Sequence, residues 1–587
     1  MELKKTAWAE AHPTRLKTIF MKKSIFIFLV IFAVAAFACA SQKAGLYADS
    51  IEKALELSEN DIDLATAVLL VSKRWDPSIN IEYYRNQIDE IANTVIARLN
   101  GKNPLYDGRE TTEIISKILF EEMGFKPVDN AENPEDLFLH TVLNNRRGYC
   151  LSLSILYLAV AERLNLPVNG VVVPGHFFVR YTDHNKSFNI ETTQKGVNAP
   201  DKHYIKEFKI PQDGRRNLYL RNLSRRETIG CFFNNLANVY FDDGNVDNAY
   251  YYQQKAVDIA PLLAEARTNL GNIFLKKNMA DMAVQQYLAA IEINPADAKT
   301  HHNLANAYAK KNQQDKAIEQ YKIALRYDPN FIEIYKGLAQ AYNSQGQSDK
   351  AIEILKKAIN INSRDADIYV TLGNIYQEKQ NYSEAITNYR LALALKNNLP
   401  AAAYGLGYAY FQSQMYYDAI EQFRATIFYE PGNAKAYFGL GLAYNKLGWV
   451  EEETAAYQNA VKADPQMTAA WQNMAQIYMS QKQYEQAAAA YKNVANLAPS
   501  ADVYYNLAVA HSSQKQYQQA EGYYFKALEF SPDYPAAHNN LAITLYMLKK
   551  YEQALQHAET AKQLGFDVSD DLIKELHRLT DVNSVEK

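Results

Sequence analysis

Two hydrophobic rhythms divide the chain. From Lys43 to about Asn145 apolar residues return at helical spacing, every three or four positions, over Ile62–Val71 and Ile81–Leu99. Glu110–Glu122 and Glu132–Asn145 predict two further helices, the second with Pro134 suited to a first turn. After Gly148 a long apolar helix begins, with Cys150 near its N-terminus. Three short runs follow, Val168–Val173, His176–Tyr181 and Lys186–Glu191, and read as strands. Pro174-Gly175 and Asp183-His184-Asn185 lie between them as turns. From Gly230 a period of 34 residues takes over and runs nearly to the end of the chain.

In each repeat unit position 7 is Leu or Met, from Leu236 to Leu541, and position 8 is always small, from Ala237 to Ala542. Position 20 is Ala in nine units, with Glu453 the exception, and position 32 is Pro in seven. Small residues at 8 and 20 let two antiparallel helices approach, and large side chains at 7, 11 and 24 fill the space around them. Proline at 32 cannot continue the second helix. Ten units over Gly230–Asp567 resemble the tetratricopeptide repeat (TPR), which implies an all-α superhelical solenoid. The resemblance further implies a concave groove, lined by the first helix of each hairpin, that accepts proteins or peptides. The candidates on that face are Asn234, Asn238, Asn272, His302, Asn306 and Asn374, with Lys276 and Lys310 adding charge. Amides can bond a peptide backbone at donor and acceptor alike, but Asn at position 9 also belongs to the ordinary consensus of the repeat. Tyr404, Tyr408, Phe411 and Phe438 depart from that consensus and suggest an aromatic anchor.

The chemistry-bearing residues lie upstream. A Cys at a helix N-terminus gains thiolate character from the dipole, a neighbouring His can take its proton, and a carboxylate can orient that His. Cys150, His176 and Glu191 supply the three in chain order, and Asn144 is a candidate donor to an oxyanion. If the second and third strands pair through the Asp183–Asn185 turn, His176 and Glu191 fall at one end of the sheet. The blocks Leu143-Asn-Asn-Arg-Arg-Gly148 and Pro174-Gly-His-Phe-Phe-Val-Arg180, with Ile118–Phe125 upstream, resemble the SirB-type branch of the transglutaminase-like superfamily. That resemblance implies an α+β, papain-like domain whose Cys and His correspond to Cys150 and His176, with Glu191 where Asp is usual. Many members of this branch lack the Cys and look non-catalytic, so two readings stand. One is a thiol hydrolase or acyltransferase acting on amide bonds. The other is an inactive binding scaffold in which Cys150 is a core residue, His176 bonds a loop carbonyl and Glu191 is a solvated strand end.

Composition adds exclusions. Of 587 residues 48% are apolar and 22% charged, and the formal charge of -4 offers no basic field for nucleic acid. Metal-ligand spacing, phosphate loops and dinucleotide fingerprints are absent from the sequence, so neither metal nor cofactor is expected. Residues 1–40 read as an export signal, with Met21-Lys22-Lys23 as a basic start and the apolar run Ile25–Ala38 shorter than the roughly 20 residues of a comfortable span. Met21 is a possible true start. Cys39 fits lipidation in a lipoprotein-type cleavage box, while small residues at 36, 38 and 40 fit ordinary signal peptidase and an uncleaved anchor is a third option. The expected product is periplasmic or membrane-anchored in the cell envelope. Only Cys150 and Cys231 follow Cys39, too few for a disulfide framework. The expected layout is a transglutaminase-like domain over 43–222, a linker over 223–229, repeats over 230–567, and an end helix and tail over 568–587.

Overall fold

The computed structural model describes residues 44–128, 133–184, 186–208, 210 and 218–585. The export signal and Cys39 lie outside the described residues. The chain divides into two units at Ile334.

The first unit opens with helices α1 (Ile51–Glu56), α2 (Leu64–Trp75), α3 (Ile81–Arg98) and α4 (Gly108–Ser116), and α4 runs on into a π-helical turn at Lys117–Glu122. Asp63 and Asn80 cap α2 and α3 by accepting the N–H groups of Thr66 and Tyr83. The helix expected over Glu132–Asn145 is interrupted: a 3₁₀ turn, Pro134–Leu137, stops at the extended Phe138 before α5 (Leu139–Asn145) begins. Strand β1 (Lys126–Pro127) pairs in parallel with β2 (Arg147–Gly148) just ahead of α6 (Cys150–Arg163). All eleven residues of α6 from Leu151 to Ala161 are buried, which makes it the central helix of the domain. Its C-terminal Arg163 is held by Asp63 at 2.5 Å and Asp89 at 2.7 Å.

Strands β3 (Val168–Val173), β4 (His176–Thr182) and β5 (Ser187–Ile190) form an antiparallel sheet in chain order. Residues 218–223 cover the free edge of β3, where Leu220 N–H donates to Val172 O (3.1 Å) and Leu223 N–H to Gly170 O (2.9 Å). A short helix, α7 (Asp201–Glu207), lies between β5 and that edge in sequence.

The segment 223–229 is not a linker. It is the start of α8 (Arg225–Asp242), the first repeat helix, closed by a capping box between Ser224 and Glu227. Arg225 and Arg226 reach back to Glu59 and to the carbonyls of Leu55 and Leu57, which satisfies the last carbonyls around α1. With α9 (Val246–Ile259), α10 (Ala264–Lys276), α11 (Ala280–Ile293), α12 (Ala298–Lys310) and α13 (Gln314–Tyr327), α8 builds the first three hairpins. One apolar core runs from Ile51 to Ala307 through the domain and these hairpins.

Seven more helix pairs follow to Gln563, the last being Pro535–Met547 with Tyr551–Gln563, and an end helix covers Asp570–Val585 with Leu576 fully buried. Where position 8 is glycine, it is set by an aromatic at position 24 of the same hairpin. A Cβ on Gly373 would come within 2.6 Å of the Tyr389 ring, and one on Gly441 within 2.4 Å of Tyr457. Every hairpin turns through a left-handed residue at position 15, from Gly244 to Lys549, and only Gly244, Gly346 and Gly448 among the ten are glycines.

Candidate active site

Cys150 is the first residue of α6, and its placement begins at Arg146, whose left-handed backbone (φ 54°) ends α5. Gly148 is required two residues on, since a Cβ there would lie 2.6 Å from Ser152 Oγ and 2.8 Å from a Val142 methyl. Ser152 Oγ accepts from Tyr149 N–H at 2.9 Å and donates to the Asp136 carbonyl at 2.7 Å, which locks the first turn from within. Cys150 is left half-buried, at the positive end of the helix dipole.

His176 follows Pro174-Gly175. Val173 pairs with His176, and Gly175 has φ 74°, so the loop is a two-residue turn with Pro and a left-handed Gly in the places a type II turn asks for. The register of β4 on β5, Val179 opposite Ile190, continues to set Glu191 opposite Phe178, on the face that carries His176. His176 Nε2 lies 2.8 Å from Glu191 Oε2. The Phe208 ring is parallel to the imidazole at 5.7 Å.

Glu191 is 3% exposed and fully engaged. Its Oε1 accepts from Thr193 N–H (3.1 Å) and Oγ1 (2.6 Å), and its Oε2 accepts from Tyr204 OH (3.0 Å) as well as facing the imidazole. Burial alone would raise its pKa, but the bonds from His176 and Thr193 and the imidazolium charge hold the carboxyl below its usual range. The same contest decides His176: burial opposes the charged ring, and the hydrogen bonds to Cys150 and Glu191, with the negative charge on both, push its pKa up to about 10. With Nε2 turned to Glu191, Nδ1 is the ring nitrogen left for the sulfur. The arrangement is a sulfur, an imidazole that holds its proton, and a carboxylate that fixes the ring.

A cleft passes through this group. Cavities of about 440 Å³ and 870 Å³ share Cys150, Gly175, His176, Asn235 and Asn238 as lining. Facing Cys150, the wall is made by α8 and the repeats after it. Tyr219, Asn234, Glu265, Asn269 and Asn294 line the smaller cavity, and Asp242 and Asp243 line the larger. Cys231 also lines the smaller cavity, is 4% exposed and, like Cys150, is a free thiol, its pKa raised chiefly by burial.

Of the residues singled out in the sequence, Cys150, His176 and Glu191 come together, and Asn144 does not. The turn at Arg146 sends Asn144 to another face, where its Nδ2 donates to Tyr84 OH at 2.9 Å, so the oxyanion role assigned to it is withdrawn. The repeat asparagines divide. Asn272 and Asn374 accept from Tyr287 OH (2.7 Å) and Tyr389 OH (2.6 Å) of their own hairpins, and Asn306 accepts from Tyr321 OH while donating to His302 Nε2 (3.0 Å). These three tie the two helices of their hairpins together. Lys310 Nζ bonds Leu275 O and Asn278 Oδ1 at the end of the preceding hairpin's first helix. Asn238 differs because Gln253 stands where later hairpins have Tyr. Gln253 bonds Asn234 Oδ1 (3.0 Å) and Ala266 O (2.9 Å), and Asn238 is left to line both cavities.

In the second unit Tyr404 packs on Phe423 at 5.9 Å, Phe411 on Tyr416 at 5.7 Å and Phe438 on Tyr457 at 5.6 Å, each partly buried, and Tyr408 is half-buried one turn from Tyr404. The sequence reading missed Tyr204, Thr193, Tyr219 and Glu265. Only Thr193 left a local signal, as a hydroxyl residue two after an acid at a strand end.

Residues 82–227 match the transglutaminase-like superfamily. Tetratricopeptide repeat families match from 232–261 and 264–297 through to 523–556, and residues 335–436 match the C-terminal ARM domain of tetratricopeptide repeat protein 21. The chain is similar to a UPF0162 protein of Xylella fastidiosa (strain 9a5c), 22% identical over 229 residues that cover 36% of this chain and 76% of the relative. It is also similar to a UPF0162 protein of Pseudomonas aeruginosa, 24% identical over 209 residues that cover 35% and 75%. Among solved structures, MamA is 31% identical over 28% of this chain and 95% of its own, with a TM-score of 0.26. The chain thus consists of a transglutaminase-like domain followed by a solenoid of tetratricopeptide repeats.

Proposed function

We propose that the protein is a cysteine-dependent acyl-transfer or amide-hydrolysing enzyme whose repeats hold the protein or peptide it acts on. The observation that carries this reading is the convergence of Cys150, His176 and Glu191 at the mouth of a cleft walled by repeat helices. In the proposed reaction the Cys150 thiolate attacks the carbonyl carbon of an amide, and the carbonyl oxygen takes the negative charge beside the first-turn N–H groups of α6. As the tetrahedral adduct collapses, the C–N bond breaks and His176 gives its proton to the departing amine. A thioester on Cys150 remains. Water or a second amine then attacks it, His176 accepts the proton of that nucleophile, the C–S bond breaks and the thiolate is restored. Glu191 acts as a positioning residue: three hydrogen bonds from Thr193 and Tyr204 fix it, and it fixes the ring.

The location belongs to the proposal as well. Residues 1–40 are read as an export signal that delivers the protein to the cell envelope, retained there by lipid on Cys39 or by the apolar segment itself. Among the described residues no helix is long and apolar enough to cross a membrane.

Acylation tests the enzyme reading. With p-nitrophenyl acetate the full chain is expected to release a burst of p-nitrophenol and to carry one acetyl on the peptide that contains Cys150. Cys150→Ala is expected to show neither. A wild type that stays unacylated, with Cys150 intact and the fold preserved, supports the inactive binding scaffold instead.

A further inference from the structure

One partly buried acid takes no part in that chemistry. Glu265 sits in the first turn of α10, on the repeat wall of the smaller cavity that Cys150 and His176 line from the other side. Its Oε1 accepts from Tyr219 OH at 2.7 Å, whereas Oε2 is buried and has no hydrogen-bond partner among the described residues. Tyr219 is 6% exposed, is bridged to Val172 at the sheet edge, and lies 3.4 Å from Asn294 Nδ2. The neighbouring amides are already committed to one another: Asn234 Oδ1 takes Asn269 Nδ2 at 2.9 Å and Gln253 Nε2 at 3.0 Å. Nothing described turns a donor toward Glu265 Oε2, and a buried acceptor without a donor costs free energy until one arrives.

The charges facing the recess are Glu265 and Asp297 on the repeat wall, Lys299 at its exposed rim, and His176 with Cys150 across the cleft. Burial, the larger cause, and Asp297 push the Glu265 carboxyl up to about 7 against the bonds from Tyr219 and from its own backbone N–H. A cationic group entering the recess brings N–H donors for Oε2 and a charge that favours the carboxylate. An anion would meet two acids, and a neutral amide would bring the donor without the charge.

We propose that this recess is a selectivity pocket for a positively charged group of the substrate, an ammonium or guanidinium carried beside the bond that Cys150 attacks and seated by Glu265 Oε2. The inference rests on the thiol-enzyme reading above and adds the class of group that the repeats select.

Charged thiol reagents separate the two. The full chain is treated with cationic 2-aminoethyl methanethiosulfonate and, separately, neutral 2-hydroxyethyl methanethiosulfonate, and modification of Cys150 is followed by peptide mass spectrometry. In each case the thiolate attacks the reagent sulfur, a mixed disulfide forms and methanesulfinate leaves. The neutral rate reports the thiol itself, and the ratio of cationic to neutral rates reports the recess. The expected ratio at about pH 8 is roughly five-fold or more higher in wild type than in Glu265→Gln. It is expected to fall in wild type between about pH 8 and 6 as Glu265 takes up its proton, a range in which His176 stays charged. Tyr219→Phe keeps the charge and is expected to keep the preference. Equal ratios in wild type and Glu265→Gln overturn the pocket even where the neutral rate is fast, whereas a neutral rate no faster than that of an ordinary thiol counts against the enzyme reading. Should Glu265→Gln fail to fold, the wild-type ratio decides alone, and a ratio that is flat across that pH range overturns the pocket.

Discussion

The first hairpin of the repeat array and the hairpins after it share one set of positions and use them differently. In most later hairpins, Leu355 and Ala558 being the exceptions, position 24 is an aromatic that fills the space left by a small residue at position 8, and in several its hydroxyl bonds the asparagine at position 9. In the first hairpin position 24 is Gln253, which is fully buried and directed to Asn234 and Ala266, so Asn238 at position 9 faces the cleft. One substitution within a regular architecture thus frees an amide next to a candidate nucleophile. A repeat consensus states how the hairpin closes, and departures from it mark where the hairpin does something else.

The comparison breaks most visibly at the cleft. Cys150→Ala is expected to abolish acyl transfer, and His176→Ala to slow it by about 10²–10⁴-fold, with far-ultraviolet circular dichroism unchanged. The pH dependence of His176 has a definite sign. Its pKa is raised in the fold, so its contribution to stability is fully present below the ordinary histidine value of about 6.5 and is lost as pH rises through about 10. Denaturation midpoints of wild type and His176→Ala should therefore differ at neutral pH and converge at high pH. In the later hairpins the largest effect is structural: Tyr389, packed between Gly373 and Gly405, should cost about 3–4 kcal/mol when replaced by Ala, read by chemical denaturation of the full chain. The matched pair Asn374→Ala and Asn238→Ala sharpens the contrast. The first should cost about 1 kcal/mol through the lost Tyr389 bond. The second should stay within about 0.5 kcal/mol while slowing acylation of Cys150. The smallest effect is at the turns, where Gln414→Gly relieves a left-handed side chain (φ 63°) and should stabilise by about 0.5–1 kcal/mol.

The repeats were legible because one pattern is written ten times, and residues 34 apart check one another. The left-handed turn residue at position 15 escaped notice because its identity varies, Gly in some hairpins and Asn, Gln or Lys in others. Within the site, Cys150, His176 and Glu191 were readable from a helix start and a hairpin register, both of which are local physics. Asn144 was misplaced because a left-handed residue at Arg146 reverses the chain between it and Cys150, and nothing in the sequence of Arg146 announces that backbone. Tyr204, Tyr219 and Glu265 reach the cleft through the packing of distant segments, which no local spacing reports. The linker over 223–229 failed for a related reason: a run rich in charge looks solvated until its arginines are seen bonding carbonyls at the end of α1.

The central claim is that His176 and Glu191 keep the Cys150 sulfur in its reactive form. The rate of iodoacetamide reaction at Cys150, followed by peptide mass spectrometry from about pH 5 to 9 in wild type and His176→Ala, tests it most directly. A wild-type rate well above that of His176→Ala across this range is the predicted result. Identical rates in the two proteins across the range would contradict it.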